Sequence, residues 1–259
     1  MNDLTLEQIL RGKQTRIKNK EYFPTAAYVE PFLERVSRLT NNFICKAVLP
    51  NQITLTKEGD VDLEDQTWNR VWIQAVLPDD YPIPNHNNVI GMVYGLDVRK
   101  PVFKVYRGGL NQACTNLCVF SNDMLTCQEI EAETPVDFRC VDRIIEETDN
   151  SAKMIRQLMN TEFNTDERLV NENLGKWIRR CIEMSYNVGF GTVKVATSTP
   201  IDAIKMLLYK EDSDYFVKNK EANMYDVYGA FTQCITNGLA KDIMNQTEKT
   251  ILIKDILGI

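Results

Sequence analysis

The stretch Gly95-Leu96-Asp97-Val98-Arg99-Lys100-Pro101-Val102-Phe103-Lys104-Val105-Tyr106-Arg107-Gly108-Gly109-Leu110-Asn111-Gln112-Ala113-Cys114-Thr115-Asn116 decides how the first half of the chain reads. From Val102 to Arg107, apolar and cationic side chains interleave as a half-exposed strand would have them. Val102, Lys104 and Tyr106 then share one face, and Phe103, Val105 and Arg107 the other. Val89 to Leu96 reads as a preceding strand, joined through Asp97 to Pro101. The Gly108-Gly109 pair reads as a turn that ends the pattern.

Working outward, Phe43 to Leu49, Gln52 to Thr56 and Trp68 to Leu77 are further strand patterns. Lys57-Glu58-Gly59-Asp60 is a turn, and Pro78 to Asn88, with three prolines, is a loop. Strands at this spacing form an antiparallel meander. A short helix with Thr5 as its cap opens the chain, and a second begins at Pro24-Thr25. Past about residue 140 helical spacing takes over, in Asp142 to Met159, Asp166 to Asn187, Pro200 to Tyr209 and Asn223 to Asn237. The apolar tail Thr250 to Ile259 has to dock on something. The fold class is therefore α+β: an antiparallel sheet in the N-terminal half with helices covering one face, and a helical C-terminal half. It reads as a single domain over 1–259, sheet-rich over 1–140 and helix-rich over 141–259.

The 259 residues carry a net charge of −6, 44% hydrophobic and 25% charged side chains, and no run near the roughly 18 apolar residues of a membrane span. The N-terminus lacks a basic segment leading into an apolar run, so a cytoplasmic setting is expected. Seven scattered cysteines fit reduced thiols. His86 is the sole histidine, which removes most histidine-based catalysis, and in its Pro/Asn-rich loop it reads as solvated.

Two segments carry cations that would suit a polyanion. On the strand, Arg99, Lys100, Lys104 and Arg107 are placed to contact phosphates while Phe103 or Tyr106 stacks on bases. Near the N-terminus Arg11, Lys13 and Arg16 lie in a cation-rich run, Arg11 to Lys20, that is nearly free of apolar anchors. A half-exposed strand and a solvated linker are the plainer readings of the same residues. Cys114 and Cys118, with Cys127 and Cys140 downstream, lack the second pair of a zinc knuckle and suit buried thiols, so no metal is expected. No phosphate-binding Gly-rich loop ending in Lys-Ser/Thr is present. The acidic groups Asp60, Asp62, Glu64 and Asp65, Asp79-Asp80, and Glu129, Glu131 and Glu133 read as surface loops. No catalytic residue and no cofactor are expected.

Gly91 to Phe120, with Cys114-Thr115-Asn116, resembles the middle of a family of phage- and plasmid-borne proteins known as domain of unknown function 932. That family has Cys-x-Asn-Gly at this place; Leu117 stands here for the glycine. Tyr22-Phe23-Pro24-Thr25 and Asn223 to Thr232 resemble its beginning and its late helix. The resemblance implies a phage or plasmid setting, DNA metabolism or counter-defence, and no catalytic residue to carry over. Phage single-strand annealing proteins, which join a twisted antiparallel sheet to helices and form rings, are an analogy of fold alone. The expected function is a non-catalytic, homo-oligomeric protein that binds single-stranded DNA in recombination or replication in the bacterial host cytoplasm. The alternative is a protein–protein interaction module, an accessory or structural phage protein or an inhibitor of a host defence, which the acidic charge and apolar tail favour.

Overall fold

The computed structural model describes residues 5–13, 15–17, 19–48, 57, 68–80, 83–96, 101–111, 117–119, 125–132, 134–146, 151–188, 191–217, 221–236 and 246–259. The strand pattern produces an antiparallel sheet from β3 (Phe43–Val48), β4 (Arg70–Asp80), β5 (His86–Gly95) and β6 (Val102–Asn111). The outer edge of β6 is shared by two shorter strands. β7 (Leu117–Cys118) pairs with Gly109 and Leu110, and β8 (Leu125–Glu129) with Val102 to Tyr106. Two antiparallel pairs of three-residue strands, β1 (Thr15–Ile17) with β2 (Lys20–Tyr22) and β10 (Tyr186–Val188) with β11 (Gly191–Val193), and the small pair β9 (Glu162–Phe163) with β12 (Ala222–Asn223) lie outside it.

The helices follow the periodicity in the sequence. α1 (Leu6–Leu10) is closed by a capping box in which Thr5 and Gln8 satisfy each other's backbone N–H groups. α2 (Thr25–Val36) buries Tyr28, Val29, Phe32 and Val36. In the stretch read as one helix from Asp142 to Met159, α3 (Arg139–Glu146) and α4 (Ser151–Met159) are separate elements. α5 (Glu167–Glu183), α6 (Thr199–Leu208, with Pro200 in its first turn), α7 (Met224–Thr236) and α8 (Gln246–Leu257) complete the helical half.

Helices cover both faces of the sheet, where one covered face was expected. On the first face Val71, Ile73 and Ala75 of β4, Ile90, Met92 and Tyr94 of β5, and Phe103 and Val105 of β6 pack with Ile9 of α1, Phe32 of α2 and Ile144 of α3. On the second, Trp72, Val76, Val89, Val93, Tyr106 and Leu110 pack with Ile251 of α8. A third cluster joins α4 to α8, with Trp177, Tyr228, Phe231, Leu252, Ile253 and Ile256 at its centre.

Four local readings change. Gly108 and Gly109 lie inside β6, opposite Val89 and Asn88, because the pairing continues through them to Asn111. The cation-rich run before Tyr22 holds the β1–β2 hairpin, which turns at Asn19 with φ 64°. His86 begins β5 instead of sitting in a solvated loop. The apolar tail is α8, and Ile251, Leu252, Ile253, Ile256 and Leu257 are buried within this chain. It needs no partner and does not favour one. No helix among the described residues is long and apolar enough to cross a membrane.

Candidate functional site

The expected strand-face contacts are not at the surface. Lys104 is 0% exposed and its ammonium pairs with the Glu248 carboxylate of α8. Tyr106 is buried, receives a hydrogen bond from Trp72 Nε1, and has its phenol pushed upward in pKa by burial. Phe103 is buried on the opposite face, edge-on to Phe138. Arg107 is half-buried and turned inward, with Nε donating to Asn88 Oδ1 and Nη1 to the carbonyl of Ile145 at the end of α3. A nucleic-acid strand therefore has no access to Lys104, Phe103 or Tyr106 in this fold. The reason is tertiary: the alternation marks two faces, and the second helical layer takes the face that would have met water.

Of the other cations, Arg11 and Lys13 lie at one end of the sheet, where Gly12 between them packs on Trp68. Arg11 ends α1, where it pairs with Glu7 across one helical turn, and Lys13 follows it, both exposed. Between them Gly12 fits against Trp68 and Thr25, so closely that a Cβ there would meet Thr25 Oγ1 at 2.3 Å and the indole at 2.4 Å. Trp68 Nε1 donates to Gln8 O at 3.3 Å, and the next residue, Asn69, accepts from Leu96 N at 2.7 Å. Leu96 and Pro101 flank the β5–β6 connection that carries Arg99 and Lys100, which lie outside the described residues. The N-terminal segment is thus linked through Trp68 and Asn69 to Leu96, at the end of β5. Arg70 starts β4 at the same end, and one row further in the Lys46 ammonium lies 5.2 Å from the Trp72 ring centroid. Arg16 belongs to β1, opposite Glu21.

Sequence reasoning missed the polar cluster at the opposite end of the sheet. His86 and Asn88 of β5, Arg107 and Asn111 of β6 and Tyr225 of α7 meet there. His86 Nδ1 donates to Pro84 O at 2.8 Å, Tyr225 Oη lies 2.5 Å from His86 Nε2, and Asn111 Nδ2 donates to the same oxygen at 2.9 Å. Hydroxyl, imidazole and orienting acceptor in line is how a nucleophile is activated. Here His86 is 5%, Tyr225 7% and Asn111 8% exposed, and Asn111 already occupies the phenol oxygen, so no substrate atom has a place beside it. The cluster is a joint between sheet and helices. The available signal was the alternation itself, which puts His86, Asn88, Arg107 and Asn111 on one sheet face once β5 is paired with β6.

Cys114, Thr115 and Asn116 lie outside the described residues, as do the acidic stretch Asp60 to Asp65 and the strand read at Gln52 to Thr56. Among the described residues no group of three or more His, Cys, Asp or Glu side chains converges as a metal site would need. The Cys45, Cys140, Cys181 and Cys234 thiols are each pushed up to about 11, with burial the largest cause, which makes them poor nucleophiles at neutral pH. No family model, no curated protein and no solved structure matches the chain.

Proposed function

We propose that the protein binds single-stranded nucleic acid, without catalysis, at the end of the sheet where Gly12, between Arg11 and Lys13, packs on Trp68. Arg11, Lys13, Arg99 and Lys100 contact phosphates, and Arg70 and Lys46 extend the positive edge along β4 and β3. The observation that supports this reading is the Gln8–Trp68 and Asn69–Leu96 bonding, which links the N-terminal cationic segment to Leu96, three residues before Arg99 in the sequence. Local cation density matters more here than the net charge of −6, since phosphate contacts act over about a Debye length of 10 Å. The protein works as a homo-oligomer in the cytoplasm of a bacterial host, in recombination or replication, the setting implied by the resemblance to phage and plasmid proteins.

The test is binding to a labelled single-stranded oligonucleotide at rising salt. Replacing four phosphate-binding side chains should flatten the slope of log K against log salt by about 3 for a single strand. The expected result is wild-type binding at low salt and a loss of most affinity, with that flatter slope, in Arg11→Glu/Lys13→Glu/Arg99→Glu/Lys100→Glu. A folded quadruple variant with unchanged affinity, or a wild type that does not bind at low salt, overturns the proposal. Sedimentation of the same samples reports the oligomer.

A further inference from the structure

The His86 joint has its hydrogen atoms fixed by what each partner can do. The Pro84 carbonyl only accepts, so His86 Nδ1 carries the proton. In the neutral ring Nε2 is then a bare acceptor, and the Tyr225 hydroxyl donates to it. The phenol oxygen receives Asn111 Nδ2. A second proton on the ring must sit on Nε2, pointing at the oxygen whose own hydrogen pointed back. Donor then faces donor. The phenol has to turn, and its hydrogen loses the ring acceptor where His86, Tyr225 and Asn111 are all buried.

We infer that His86 is a proton-operated catch between the end of the β5–β6 hairpin and the start of α7, closed when the ring is neutral and released when it is protonated. The inference is independent of nucleic-acid binding.

The surroundings favour the neutral ring. Arg107 on β6 faces the same side of the sheet and is engaged by Asn88 and by the Ile145 carbonyl of α3. The Asp226 carboxylate on α7 receives the Asn223 backbone N–H. Arg143 and Glu146 of α3 are exposed. Burial lowers the imidazole from its ordinary value of 6.5, with the Pro84 carbonyl pulling the other way. Because the closed form binds the proton less well than the open form, the catch contributes fully above about pH 6.5, and that contribution is lost as pH falls through the lowered value.

With one histidine in the chain, its ring resonances in an NMR titration need no assignment. Amide exchange is followed over the same range, from pH 7.5 to 5, after correction for intrinsic rates. The ring should stay neutral below pH 6.5. Protection at 86–88, 109–111 and 224–228 should fall by up to tenfold per pH unit, while Ile73, Met92 and Val105 stay protected. In His86→Gln, a side-chain oxygen takes the Tyr225 hydroxyl without titrating, and protection at the joint should stay level. If that variant does not fold, Tyr225→Phe is the substitute: it should start with lower protection at the joint and show a shallower pH dependence than the wild type. A ring that titrates at 6.5 without local opening overturns the catch, as does an equal pH dependence in wild type and variant.

Discussion

Lys104→Met alone should destabilise the protein by about 3–5 kcal/mol, and the double change Lys104→Met/Glu248→Leu should recover most or all of that loss. Lys104 and Glu248 are both buried, and their side chains pair across β6 and α8. Removing the cation leaves a carboxylate in a low-dielectric interior with nothing among the described residues to balance it, and Glu248 Oε2 has no hydrogen-bond partner among them even in the intact pair. Removing both charges eliminates the desolvation cost together with the attraction. Side chains of similar volume extend the apolar cluster of Trp72, Val93 and Ile251. Urea unfolding of the wild type, both single variants and the double variant measures the coupling as a thermodynamic cycle. Near-wild-type stability in either single variant would contradict the buried pairing. The same geometry changes what a charge reversal at Lys104 would report. Lys104→Glu sets two carboxylates together in the interior, so a failure to bind DNA in that variant would reflect a failure to fold. Arg11 and Lys13, being exposed, are the informative positions.

Gly91→Ala should cost about 3 kcal/mol, while Gly175→Ala should stabilise by about 0.5–1 kcal/mol. Gly91 sits in β5 opposite Tyr106, whose ring lies across it. A Cβ on Gly91 would stand 2.1 Å from Tyr106 Cζ and 2.3 Å from its hydroxyl oxygen. The ring cannot swing away cheaply, since Trp72 Nε1 holds the hydroxyl and Leu110 and Ile251 belong to the same packed cluster. Moving it breaks a buried hydrogen bond and opens a gap. Gly175, exposed in the middle of α5, has nothing within 4 Å of where a Cβ would go, and alanine there removes only the excess backbone entropy of glycine. Thermal or urea unfolding of the two variants tests the contrast. Equal effects would mean that Gly91 is not pressed against Tyr106.

The exchange of Lys104 from expected phosphate contact to buried ion pair shows where sequence reading stops. Its partner lies 144 positions away, and strand alternation says which side chains share a face without saying what covers that face. A trace of the partner was present: in α8 Glu248 stands at helical spacing from Ile251 and Leu252, and an acid on an apolar face needs a cation. Similarly, Gly108-Gly109 looks like a turn in isolation and is a strand interior in the fold, because pairing with Val89 and Asn88 outweighs the local preference of glycine.

Local periodicity by itself determined that this is an α+β protein, with the order of its main strands and helices, because period-two and period-3.6 patterns are written in neighbouring residues. It also located the N-terminal and β5–β6 cations. Tertiary structure alone decided that both sheet faces are covered, that Lys104 and Tyr106 are interior, that Gly12 between Arg11 and Lys13 packs on Trp68, and that His86 joins Tyr225. Each of those depends on contacts between segments far apart in the chain, formed because every apolar face has to find cover, and no local pattern names the segment that supplies it.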